Sequence, residues 1–297
     1  MPTVASGWHA AWDTLRNEEV APIQEDETAL VLWSLWEHYE RYRDIEFAHR
    51  LYRNLTVRCA DFMVNFRDAV TKLPSPSWNL WEDRRGIHTF TCSAVVAGLR
   101  AASNFAVLFA EFERAQRYSA AADEIAAAMR THLYSKELGR FLRSIEVDHR
   151  GEYFPDATVD SSMFAIFFFG CFDPDDEVVA NTMAAIEKNL AVGGGIGRFE
   201  NDGYMRGLGP YTGNAWYICT LWLAEYYIAR AKSSDDLARA LELIEWVADR
   251  ALPSGVLAEQ FDPQSGENVS VSPLTWSHST FVGLVHSYIE RTKQVAF

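Results

Sequence analysis

Apolar residues recur at helical spacing along most of this chain. Between residues 26 and 42 the positions Leu30, Leu32, Trp33, Leu35, Trp36 and Tyr39 fall on one face, behind Pro22 and an acidic start, and predict a helix. A second is predicted over residues 45–67, after a polar break too short for anything but an antiparallel hairpin. Pro74 and Pro76 then enforce a loop, followed by helices over residues 87–109 and, in an alanine-rich run, 114–133. Residues 134–158 contain Gly, Pro and short alternating runs, which read as a long loop with room for a hairpin. Helices resume over 159–169, 175–190, 214–231, 235–251 and 274–291, with a glycine-rich irregular stretch over 191–213 and another between Pro253 and Pro273. That is nine helical segments and no convincing long strand.

The long loops ahead of Asp26, Ile87, Val159, Asn214 and Leu274 recur roughly every 55 to 70 positions, and each but the last precedes two helices. Stacked hairpins of this kind close most simply into a toroid of inner and outer helices with the long loops on one rim. A six-hairpin toroid has three helices more than the pattern provides. The expectation is therefore an all-α (α/α)6 toroid lacking its first helices, a single domain over residues 1–297 that is incomplete at the N-terminus.

Composition narrows the function. The chain has 297 residues, 48% of them hydrophobic and 13% aromatic, enough to bury a large core. A formal net charge of −14 argues against nucleic acid or an anionic membrane as partner and leaves a neutral ligand open. Cys59, Cys92, Cys171 and Cys219 have no CxxC spacing and read as reduced core residues. The N-terminus lacks a secretory pattern and no run reads as membrane-spanning, so a cytoplasmic setting is expected. No histidine pairing suggests a metal, and no cofactor is expected. GGGIGRFE from Gly193 lacks the remaining elements of a phosphate loop.

Two loops carry candidate chemistry. In SWNLWEDRRGIHTFT, residues 77–91, Glu82 and Asp83 lie between large aromatics just before a helix. A carboxyl packed beside indole rings is poorly solvated, which suits a proton donor; the alternative is a loop acid paired with Arg84 or Arg85. In the last long loop Glu259 sits between Leu257 and Phe261. Two such carboxyls suit glycoside hydrolysis, one protonating the leaving oxygen while the other activates water or attacks the sugar.

The segments NLWEDRRGIHTFT and LAEQFDPQSG followed by PLTWSH resemble the two acid-bearing motifs of the glucoamylase-type glycoside hydrolase family 15. PIQEDETALVLWSLWEHY, GRFENDGY and TGNAWYICTLWLAEYY extend the resemblance over nearly the whole chain. It implies an (α/α)6 barrel that releases glucose from non-reducing ends of α-glucans with inversion, some members using trehalose or isomalto-linked substrates. It makes Glu82 the general acid and Glu259 the general base, with Trp81 and Asp83 shaping the acid's surroundings. Arg198 becomes a sugar-binding arginine, its fork suited to paired bonds with hydroxyls, Asp202 its acidic partner, and Trp216 an aromatic near the glucose subsites. Asp26 falls in a motif loop and could equally be a helix N-cap. The implied partner is an α-glucan oligosaccharide or α-linked disaccharide. One departure stands out: the family's early tyrosine and Arg-Asp block has no counterpart before Gly7. A further N-terminal segment or chain would complete the site; otherwise the toroid is a carbohydrate-binding remnant without turnover.

Overall fold

The computed structural model describes residues 11–13, 18–20, 23–147, 150, 152–207, 209 and 211–296. Cα packing divides the chain into two compact units, one of residues 1–157 with 169–171 and one of residues 158–168 with 172–297.

In the first unit, strands β1 (Ala11–Asp13) and β2 (Glu18–Val20) pair as a short antiparallel ribbon. Helix α1 (Glu25–Tyr42) follows; α2 (Ile45–Leu51) and α3 (Val57–Asn65) are joined by a π-helical turn at Tyr52–Thr56 and make up the single run expected over 45–67. After β3 (Ser77–Trp78) and β4 (Arg85–His88) come α4 (Thr89–Leu108) and α5 (Phe112–His132). Four strands complete the unit: β5 (Tyr134–Ser135), β6 (Arg140–Phe141), β7 (Ser144–Val147) and β8 (Tyr153–Asp156).

Helix α4 is the core of this unit, buried on nearly every side between α1 and α5. By length and composition it could cross a membrane, contrary to the expectation that no run would, but 72% of its apolar window is buried inside the protein. It lies so close to α1 that a Cβ on Gly98 would meet the Ala29 carbonyl oxygen at 2.8 Å. Helix α5 buries Ala115, Tyr118, Ala122, Ile125 and Met129, the three- and four-residue spacing that sequence periodicity predicts.

The second unit opens with a 3₁₀ turn at Ser161–Phe164 running into α6 (Ala165–Phe168), then α7 (Glu177–Leu190). Strands β9 (Ala191–Val192), β10 (Gly195–Gly197) and β11 (Ala215–Trp216) lead into α8 (Tyr217–Arg230) and, after a 3₁₀ turn at Asp235–Leu237, α9 (Ala238–Ala248). Strands β12 (Gln260–Asp262) and β13 (Glu267–Val269) precede α10 (Thr275–Val295). Helix α8 is this unit's buried core, packed by α7, α9 and α10.

The helices fall where the periodicity places them. The long loops are more ordered than expected: they form a sheet in the order β3-β4-β7-β8 in the first unit and one in the order β13-β12-β11-β10-β9 in the second. The hairpin β7–β8 falls within the stretch expected to have room for one, but these strands are two to four residues long, and β4–β7, β10–β11 and β11–β12 join segments distant in sequence, which no local alternation announces. Ile87 and His88, expected to begin the helix, belong instead to strand β4, and α4 starts at Thr89.

Candidate active site

Glu82 occupies the turn between β3 and β4. Asn79, buried beneath it, accepts at Oδ1 from the backbone N–H of Asp83 (3.0 Å) and Arg84 (3.3 Å) and donates from Nδ2 to Asp83 Oδ1 (2.7 Å). Its own N–H donates to the Arg84 carbonyl (3.1 Å), and the N–H of Glu82 donates back to the Asn79 carbonyl (2.9 Å). This fixes Glu82 at a left-handed φ of 55°, a conformation costing a residue with a side chain about 1–3 kcal/mol and concentrated at functional sites. The glutamate is half-buried.

Asp83 is drawn into the scaffold instead. Arg84 bonds its carboxylate (Nε to Oδ1, 3.3 Å) and reaches Glu146 at 3.0 Å and Asp156 at 3.7 Å. The nearly buried Arg143 donates to Asp156 through Nε at 2.5 Å. Under the same sheet His88 is held down at about 4, first by burial and then by the positive charge of Arg143. Asp26, the other motif acid, is not a cap: α1 begins at Glu25, and the buried Asp26 carboxyl accepts from the Thr91 hydroxyl at 3.3 Å.

In the second unit the pairing of β12 with β13 positions Glu259. Gln260 stands opposite Val269, so Glu259 stands opposite Ser270; its N–H donates to the Val271 carbonyl (2.9 Å), and its own carbonyl accepts from the N–H of Tyr217 (3.3 Å). Glu259 Oε2 accepts from the Ser270 hydroxyl at 2.5 Å and from Gln260 Nε2 at 3.1 Å. The preceding residues are tied to α10: the N–H of Leu257 donates to His278 Nε2 (3.0 Å) and the Ser277 hydroxyl to the Ala258 carbonyl (2.8 Å). His278 thus supports the loop, as a packing residue would.

Arg198 and Asp202 meet as a fork. Nε and Nη2 of Arg198 donate to the two oxygens of Asp202, both at 2.8 Å, with the side chains only 12% and 2% exposed. The guanidinium carbon lies 4.6 Å from the ring centre of Phe199, 4.7 Å from that of Trp216 and 5.5 Å from that of Tyr204. The edge of the fork expected to face hydroxyls is therefore engaged by Asp202. Trp216 is buried at 3% exposure, while Tyr204, absent from the sequence reading, is 44% exposed. Trp81, Glu82 and Asp83 thus form one group in the first unit; Arg198, Asp202, Trp216 and Glu259 belong to the second, where the sheet aligns Trp216 opposite Gln260. No cluster of three or more His, Cys, Asp or Glu residues suited to a metal occurs among the described residues.

The sequence profile of the family described as glycosyl hydrolases family 15 matches residues 13–246. The chain belongs to this family. The match includes Glu82, Arg198, Asp202 and Trp216 and ends before Glu259. An uncharacterized glycosyl hydrolase of Methanocaldococcus jannaschii is 29% identical over 89% of this chain and 42% of its own length. The isomaltose glucohydrolase of Kribbella flavida is 31% identical over 88% of this chain and 63% of its own length. Other family 15 relatives are named glucoamylase and trehalase. Among solved structures, a bacterial glucoamylase complexed with acarbose superposes with a TM-score of 0.74 at 24% identity, covering 94% of this chain and 44% of that one. The fold class is accordingly the all-α (α/α)6 class that the helical pattern suggested, and the chain spans about half the length of the curated relatives it matches.

Proposed function

We propose that this chain carries the acid and base of a glucosidase that cleaves terminal α-glucosidic bonds with inversion. Glu82 donates a proton to the leaving oxygen, and Glu259 takes a proton from the attacking water. The observation that carries the reading is the contrast between two half-buried glutamates in a family 15 chain. One is mounted on a strained turn built by Asn79, the other is fixed at one oxygen by two neutral donors. Trp81 and Asp83 shape the setting of the acid, and Arg198, clamped by Asp202 against Trp216, together with the exposed Tyr204 forms the sugar-binding part of the second unit. An α-glucan oligosaccharide or α-linked disaccharide is the substrate class. The similarity to an isomaltose glucohydrolase favours an isomalto-linked disaccharide as the second substrate to test beside maltose, with trehalose third. Carbohydrate binding without turnover is the competing reading.

Glucose release from maltose, isomaltose and trehalose tests the proposal. Hydrolysis of at least one, lost in both Glu82→Gln and Glu259→Gln with sugar binding retained, supports it. Binding without release by the unsubstituted protein would instead support a carbohydrate-binding role without turnover.

A further inference from the structure

The donors on Glu259 are themselves held in line by a residue outside the sites considered so far. Asn214, immediately ahead of β11, is buried at 1% exposure, and Gln260 at 0%. The Asn214 Nδ2 group donates to the backbone carbonyl of Met205 at 3.1 Å and to Gln260 Oε1 at 2.9 Å. Gln260 then donates from Nε2 to Glu259 Oε2 at 3.1 Å. The series runs from a backbone carbonyl, through two side-chain amides, to a carboxylate.

Both ends of the series are acceptors, and a backbone carbonyl cannot turn over. An amide carries a donor on one arm and an acceptor on the other, so each of the two has one orientation that satisfies the series. Were Asn214 reversed, its Oδ1 would face the oxygens of Met205 and Gln260. Were Gln260 reversed, its Oε1 would face the carboxylate and its two donor groups would oppose those of Asn214. The Oδ1 of Asn214 is buried with no hydrogen-bond partner. That arrangement is unfavourable by itself and persists only because the other arm makes both its bonds. Met205 takes a left-handed φ of 55° beside the exposed Tyr204, so the fixed reference point of the series lies on the surface segment that follows the Arg198–Asp202 clamp.

We infer that Asn214 is a positioning residue: by donating to Met205 and Gln260 together, it keeps the donor arm of Gln260 on the Glu259 carboxylate. The role in catalysis rests on the reading of Glu259 as the base, whereas the orienting effect does not. Asn214→Ala removes both donated bonds without adding charge and frees Gln260 to turn, so that its oxygen can replace the donor against Glu259. Gln260→Met removes the donor by another route with little change in length. Asp262 and Glu267 on β12 and β13, His278 on α10, Arg250 over the Phe261 ring, Tyr204, Tyr211 and Tyr217, and the Arg198–Asp202 pair are titratable and charged groups around this segment; all stay unchanged in these variants.

The test is the titration of the Glu259 side-chain carboxyl carbon, followed by NMR in glutamate-labelled full chain and assigned by its loss in Glu259→Gln. The midpoint should move to higher pH by about one unit in Gln260→Met and by less in Asn214→Ala, and the double variant should move no further than Gln260→Met alone. A structural role alone would lower stability without moving the midpoint in these two neutral variants. If Gln260→Met shifts it and Asn214→Ala does not, or if neither does, the inference is overturned; so it is if the two shifts add. Should Asn214→Ala fail to fold, Asn214→Leu, which fills the same space without a donor, must give a shift of the same sign, and an unmoved midpoint again overturns the idea. Because the titration is read whether or not the chain releases glucose, failure here and failure of Glu259→Gln to abolish hydrolysis are separate results.

Discussion

Glu82 and Glu259 are held by different means, and the difference predicts different responses to substitution. Glu82 rests on a strained turn, and its proposed work is to protonate a leaving group. On α-glucosyl fluoride, whose leaving group needs no proton, Glu82→Gln should retain a substantial fraction of its activity while Glu259→Gln should not; fluoride release measures both. Equal losses would contradict the assignment. The Arg198–Asp202 fork is so little exposed that Arg198→Ala leaves a carboxylate buried without its fork, and stability should fall by about 3 kcal/mol in denaturant unfolding. Asp202→Asn on top of it should restore part of that loss; a loss under about 0.5 kcal/mol would mean the fork is not a clamp. These two residues and both glutamates are visible in sequence, since their motifs are local. Ser270, Gln260 and Asn214 are not. They reach Glu259 only through the register that pairs Gln260 with Trp216 and Val269, and nothing in residues 259–271 alone announces that pairing.

At the scale of elements, the β3–β4 turn depends on close packing of β4 against β7. A Cβ on Gly86 would come within 2.8 Å of the Ile145 carbonyl oxygen, a backbone atom that cannot swing aside. Gly86→Ala should therefore destabilise the protein by about 1–3 kcal/mol in thermal or denaturant melts and lower kcat by displacing the Glu82 turn. An unchanged melt would show that the two strands can separate freely. The glycine serves the approach of a strand whose partner lies about sixty residues further on, which the local sequence does not announce. Helices α1, α4, α5, α7 and α8 were legible because a three- to four-residue apolar period is written within each of them. The two small sheets were not, because strands of two to four residues carry too little alternation, and the ladders that join their hairpins, β4–β7, β10–β11 and β11–β12, lie outside any local window.

Across the whole molecule, buried titratable groups set a dependence of stability on pH. Burial pushes the Asp26 carboxyl up to about 7, against hydrogen bonds from its backbone, Gln24 and Thr91 and with Glu27 adding. It raises Glu25 as well, helped by Asp26 and opposed by Arg67. On α8 the Glu225 carboxyl is also pushed to about 7 by burial, opposed by a Ser287 bond and the Arg291 charge. Each binds its proton more tightly when folded, so its stabilisation is complete below the unfolded range near 4 and is lost as pH rises, through about 7 for Asp26 and Glu225 and in the same direction for Glu25. His88, held down at about 4, acts oppositely: its contribution is present above about 6.5 and lost as pH falls through 4. Three carboxyls outweigh one imidazole, so the melting temperature should be higher at about pH 5 than at about pH 7.5, and Glu225→Gln should flatten the slope. Equal melting temperatures at the two pH values would refute this balance.

The central claim, inverting hydrolysis of an α-glucosidic bond, is tested most directly by proton NMR of the sugar first released from maltose or isomaltose, before mutarotation mixes the anomers. β-Glucose as the first product is the result predicted if Glu259 activates water and Glu82 donates the proton. α-Glucose as the first product would contradict it.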